Sequence, residues 1–120
     1  MAAVRQNFVI EQGASWSQQL TWLQPDETPN DLTGFTARMQ IRETAEAAPP
    51  YVELTTENGR ITLGGVLGTI VLELDHETTE ELPAGKWVYD LELVSAGDEV
   101  TKLIFGSVKV PRNVTREDPP

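Results

Sequence analysis

The chain has 120 residues, enough for one domain with its own core. It contains no cysteine, so disulfides and thiolate metal sites are excluded, and packing and strand pairing must hold the fold. Nineteen acidic against nine basic residues give a formal net charge of −10. That balance points away from nucleic acid and anionic membranes, and toward solubility or a basic or Ca²⁺-bearing partner.

From the first residue the pattern is that of strands. Residues 1–11 carry Arg5 but no apolar segment ahead of a small-residue cleavage site, so no secretory leader is read there. No apolar run approaches the ~20 residues of a membrane helix, and synthesis in the cytoplasm is expected. Trp16, Leu20 and Trp22 share a parity with Gln18. Residues 24–30, with two prolines and two acids, form a loop. Ala37, Met39 and Ile41 then alternate with Arg38, Gln40 and Arg42, the period of a half-buried strand. Residues 43–50, rich in Ala, Glu and Pro, form a second loop.

Asn58-Gly59 predicts a two-residue hairpin between a strand near Val52 and Leu54 and one at Ile61–Leu63, because both residues tolerate positive φ. Gly64, Gly65 and Gly68 predict another reversal, followed by the alternating Ile70, Leu72 and Leu74. Thr78 and Glu81 have capping-box spacing and predict one short helical turn before Leu82. Pro83, Ala84 and Gly85 lead into a long strand whose Trp87, Tyr89, Leu91 and Leu93 face one way and whose Lys86, Asp90 and Glu92 face the other. Ser95 to Asp98 close a hairpin into a last strand over residues 99–110. Within it, Leu103 and Phe105 are read in phase with each other, and Gly106 suggests a bulge that shifts the parity to Val108 and Val110. Residues 111–120 read as an extended tail.

Roughly seven or eight short strands with regular turn signals predict an all-β, immunoglobulin-like, two-sheet antiparallel sandwich over residues 1–110, with a closed barrel as the alternative. The run Leu82-Pro83-Ala84-Gly85-Lys86-Trp87-Val88-Tyr89 resembles the E–F corner of immunoglobulin-like domains. Trp87 stands where that corner usually has Tyr, and Tyr89 where it has the second Cys.

A wider resemblance rests on six blocks. They are residues 31–42, opening Asp31-Leu32-Thr33-Gly34-Phe35; residues 54–59, ending Asn58-Gly59; Ile61-Thr62-Leu63; Gly68-Thr69-Ile70; residues 82–93; and Gly106-Ser107-Val108-Lys109-Val110. Together they resemble small immunoglobulin-like proteins of tailed bacteriophages, and are similar to the N-terminal domain of phage baseplate upper (fibre-attachment) proteins. The resemblance implies a structural virion component, a tail, baseplate or fibre-attachment adaptor that docks to other virion proteins in multiple copies after synthesis in the host cytoplasm. A capsid decoration protein and a carbohydrate-binding module are the alternatives.

The residues offer no catalytic, cofactor or metal assignment. His76 is the single histidine, between Asp75 and Glu77, and none of Ser15, Ser17, Ser95 and Ser107 lies in a nucleophile-elbow pattern, so no enzyme is expected. Glu73, Asp75, Glu77, Glu80 and Glu81 crowd one region but lack the spacing of a Ca²⁺ loop. Trp16, Trp22, Trp87, Tyr51 and Tyr89 are read as core first, with Trp16 and Trp22 as the candidates for a sugar platform or an interface anchor. Asn113-Val114-Thr115 matches a glycosylation sequon and is read as chance.

Overall fold

A computed structural model describes residues 3–47 and 50–115. Among them run β1 (Val4–Arg5), β2 (Phe8–Val9), β3 (Trp16–Thr21), β4 (Thr36–Arg42), β5 (Val52–Thr55), β6 (Ile61–Leu63), β7 (Thr69–Leu74), the short helix α1 (His76–Glu81), β8 (Gly85–Val94) and β9 (Val100–Val110). They form two sheets. The larger has the order β1-β9-β8-β4-β5, with β2 also on β9, and the smaller has the order β3-β7-β6. This is an all-β sandwich with the strand partition of an immunoglobulin-like fold.

Alternation builds the core. Ala37, Met39 and Ile41 of β4 and Trp87, Tyr89, Leu91 and Leu93 of β8 are all buried. They face Ile61, Ile70, Leu72 and Leu74 from the smaller sheet, and Leu32, Leu82 and Ile10 close the ends. Each fully buried aliphatic side chain contributes about 1.5–3 kcal/mol by leaving water.

Not every pairing is antiparallel. β1 and β2 run parallel to β9, with Val4 opposite Ile104 and Phe8 opposite Val108. The break between them, at Gln6 and Asn7, is held on purpose by three side chains or their absence. Gly106 lets the Gln6 carbonyl approach so closely that a Cβ there would lie 2.2 Å from its oxygen. The Tyr89 hydroxyl donates to the same carbonyl at 2.5 Å, and Ser107 N–H donates to Asn7 Oδ1 at 3.0 Å.

The expected bulge at Gly106 is therefore a correction. Ile104, Gly106, Val108 and Val110 form the continuous inward run, and Leu103 and Phe105 are not part of it. Gly106 pairs directly with Tyr89, and the register shift falls between Leu91 and Glu92, opposite Leu103. The glycine answers a close backbone approach.

The Asn58-Gly59 hairpin is a second correction. β5 and β6 lie in different sheets, so the segment crosses the sandwich. Asn58 explains why. Its Oδ1 accepts from Thr55 N–H at 3.0 Å and its Nδ2 donates to the Glu53 carbonyl at 3.0 Å. Those are the edge-facing groups that a hairpin partner would have bonded. Arg60 Nη1 also donates to the Glu53 carbonyl, at 3.0 Å, which ends the pairing.

The other turns fall where expected. Gly65 and Gly68, at φ of 59° and 68°, reverse the chain between β6 and β7. Asp98 at φ 67° and the Glu99 N–H to Ser95 Oγ bond of 3.0 Å close the β8–β9 hairpin. The helical turn exists, but its cap is Asp75, whose carboxylate accepts from Thr78 N–H at 2.8 Å; Thr78 and Glu81 are not its capping pair.

Candidate functional site

The residues with chemical potential lie apart from one another. His76 is the first residue of α1 and is exposed, as are Ser15 and Ser17, while Ser95 and Ser107 are half-buried in the β8–β9 turn and in β9. Among the described residues no three His, Asp or Glu side chains come together to hold a metal ion. Of the five clustered acids, Asp75 is committed to capping α1, and its hydrogen bonds from Thr78 hold its carboxyl below the ordinary 3.8. No helix of the described residues is long and apolar enough to cross a membrane.

The aromatic residues divide by layer. Trp87 and Tyr89 are buried, as expected. Trp87 Nε1 donates to the Pro83 carbonyl at 3.1 Å, the backward bond to main chain that a tyrosine supplies in the usual corner. Trp16 and Trp22 are half-buried and pack on the core. Trp16 meets Phe8 edge to face at 5.5 Å, and Trp22 meets Phe35 at 6.2 Å. Neither lies flat on the surface as a sugar platform requires. Tyr51, 49% exposed, rests on Trp87 with ring centroids 5.1 Å apart and bonds the Glu81 carbonyl at 2.9 Å.

Two surfaces remain. The first is sheet edge. β3 pairs only with β7, and its inward side chains Trp16, Gln18 and Leu20 are half-buried because no strand lies beyond them. β6 and β5 are also edge strands. Edges of this kind can accept an extended segment from another chain.

The second is the outer face of the larger sheet, which sequence reading missed. Arg5, Arg38, Arg42, Lys86, Lys102 and Lys109 project from it, six of the nine basic residues in the chain. Only Glu53, Asp90 and Glu92 project with them. The signal was present in the strand alternation, where the polar parity of β4, β8 and β9 is repeatedly basic, but net charge averages it away.

The start of the tail is held in place. Gln12 bridges it to the helix corner, donating from Nε2 to the Leu82 carbonyl at 2.7 Å and accepting from Asn113 N–H at 3.1 Å. Residues 116–120 lie outside the described residues, as do residues 48 and 49 of the second loop. No protein-family model matches the chain, and no curated protein matches it in sequence.

Proposed function

We propose that the chain is a structural component of a tailed-phage virion, a tail, baseplate or fibre-attachment adaptor that acts by docking to neighbouring virion proteins. One observation carries the reading: the blocks of the phage resemblance coincide with the framework of the sandwich. Residues 31–42 supply buried Leu32 and β4. Residues 82–93 supply the corner with its Trp87–Pro83 bond, and residues 106–110 supply the close approach at Gly106. What surrounds that framework is open edge and sheet face, surfaces suited to contact and repeated weak docking in many copies.

Immunogold labelling of particles from the source strain, with antibody to this chain, tests the reading. Label at the tail tip or neck is the expected result. Label over the head replaces the adaptor with a decoration protein, and bare particles after epitope unmasking remove the virion reading altogether.

A further inference from the structure

The positive charge on the larger sheet is unevenly satisfied. Toward the β8–β9 turn, Arg38 pairs with Glu92 at 2.8 Å, and Lys102 pairs with Asp90 at 3.1 Å. At the opposite end Lys86 stands directly across the ladder from Lys109, both exposed, and neither forms an ion pair among the described residues. Like charges at directly opposed positions repel and destabilise the pairing. Arg42, opposite Val88 at the same end, donates only to neutral acceptors, the Ala47 carbonyl and Gln40 Oε1. This end of the sheet therefore lacks carboxylates of its own.

Carboxylates lie next to it on the fold. α1 leads within a few residues into Gly85, where β8 begins opposite Val110, so the helix corner sits at the same end as Lys86 and Lys109. Glu77, Glu80 and Glu81 of that corner are exposed, and none forms an ion pair among the described residues. Patches of opposite sign side by side on one end are self-complementary about a two-fold axis, which closes as a dimer.

We propose that the chain forms a two-fold dimer in which the α1 corner of each copy, through Glu77 and Glu80, seats on the Lys86–Lys109 pair of the other. The proposal rests on the docking reading above in one respect, that it gives the module a first partner. Magnitudes decide whether a chain of net charge −10 can do this. The molecule spans 54 × 27 × 24 Å. At about 0.15 M salt charges act over ~8 Å, so the facing patches, and not the distant acids, set the sign of the contact. At about 0.01 M the ~30 Å screening length brings the whole charge of each copy into play and opposes association.

Sedimentation velocity tests it on the full chain. Dimer is expected at about 0.15 M salt, with a dissociation constant that rises roughly tenfold or more at about 1 M, where the screening length is ~3 Å. Lys86→Glu with Lys109→Glu gives a monomer, and Glu77→Lys with Glu80→Lys gives a monomer. An equimolar mixture of the two variants restores a heterodimer, because both contacts are then complementary again. That rescue requires both variants to be folded, so misfolding cannot imitate it. Wild-type chain that stays monomeric overturns the proposal, as does a dimer that survives both reversals. A monomer that binds heparin or duplex DNA through the lysines overturns it too and assigns the face to a polyanion. None of these outcomes depends on particle labelling, so this contact and the virion reading fail separately.

Discussion

Gly106 and Tyr89 meet at the Gln6 carbonyl, and each is replaceable by only a narrow set of side chains. A Cβ at Gly106 would stand 2.2 Å from the Gln6 oxygen, with backbone and not a flexible side-chain end in its way. Gly106→Ala is expected to lift the N-terminal segment off β9 and lower stability by about 2 kcal/mol, in the range of overpacked positions. Hydrogen exchange at the Gln6 and Ile10 amides, which bond the Phe105 and Lys109 carbonyls, should rise before that of β4 or β8. Tyr89 is half-enclosed by Phe8, 5.1 Å away, and burial pushes its phenol above the ordinary 10.0. A raised acid releases its proton more readily when unfolded, so this stabilisation is whole below about pH 10 and declines as pH rises beyond it. Urea midpoints should therefore fall between about pH 9 and pH 11, and Tyr89→Phe should flatten that fall while lowering stability at neutral pH by about 1 kcal/mol for the lost hydrogen bond.

Two connecting elements decide how the strands are shared between sheets. The crossing from β5 to β6 depends on Asn58, which exchanges bonds with Thr55 in both directions, at 3.0 and 2.9 Å, and also holds the Glu53 carbonyl. Asn58→Ala removes the side-chain bonds at once and is expected to lower stability by about 1–2 kcal/mol, since water replaces part of what is lost at an exposed turn. Chemical denaturation measures it, and Asn58→Asp, which keeps the acceptor but not the Nδ2 donor, should fall between. α1 is the other connector. Buried Thr79 donates to the Ala14 carbonyl at 2.9 Å and ties the helix to the 11–14 turn. Its cap Asp75 has a lowered pKa, as do Asp26 and Asp31, each through bonds from a threonine two or three residues on. Carboxyls of this kind stabilise the fold above the ordinary 3.8, and the contribution disappears as pH falls through their lowered folded values. Melting temperature should thus drop from pH ~5 toward pH ~2, and Asp75→Asn, which still caps but does not titrate, should reduce the size of that drop.

Across the whole molecule the sandwich holds its two ends differently. One end gathers the turns at residues 64–68 and 95–98; the other gathers α1, the 11–14 turn, the tail and the unpaired lysines. Gln12 joins three of these pieces, so the tail leaves the domain from a fixed point beside the proposed contact. Truncation after Val110 is expected to leave the sandwich folded, with the loss of one bond to Gln12 worth about 1 kcal/mol, and to reduce incorporation into particles if residues 111–120 lace subunits together. Normal assembly of the truncated chain would sink the lacing idea while leaving the dimer contact in place.

Period-two alternation is a short-range signal, and it was enough for the fold class. The inward sets of β4, β7 and β8, the glycine reversal at residues 64–68, the hairpin at residues 95–98 and the corner with Trp87 all follow from neighbours a few residues apart. What escaped depends on residues distant along the chain. Gly106 looked like a bulge because the Gln6 carbonyl that needs its missing side chain lies far back in sequence. Asn58-Gly59 looked like a hairpin because the dipeptide tolerates the turn, while the choice of sheet was made by Asn58 satisfying the edge of β5. The basic face was hidden for the same reason. Composition sums charge over the whole chain, whereas the sandwich sorts it, placing six bases on one sheet face and leaving most of the acids at the turns and ends. Local pattern sets which residues face inward; which strands become neighbours, and hence which charges share a surface, is settled only when the two sheets close.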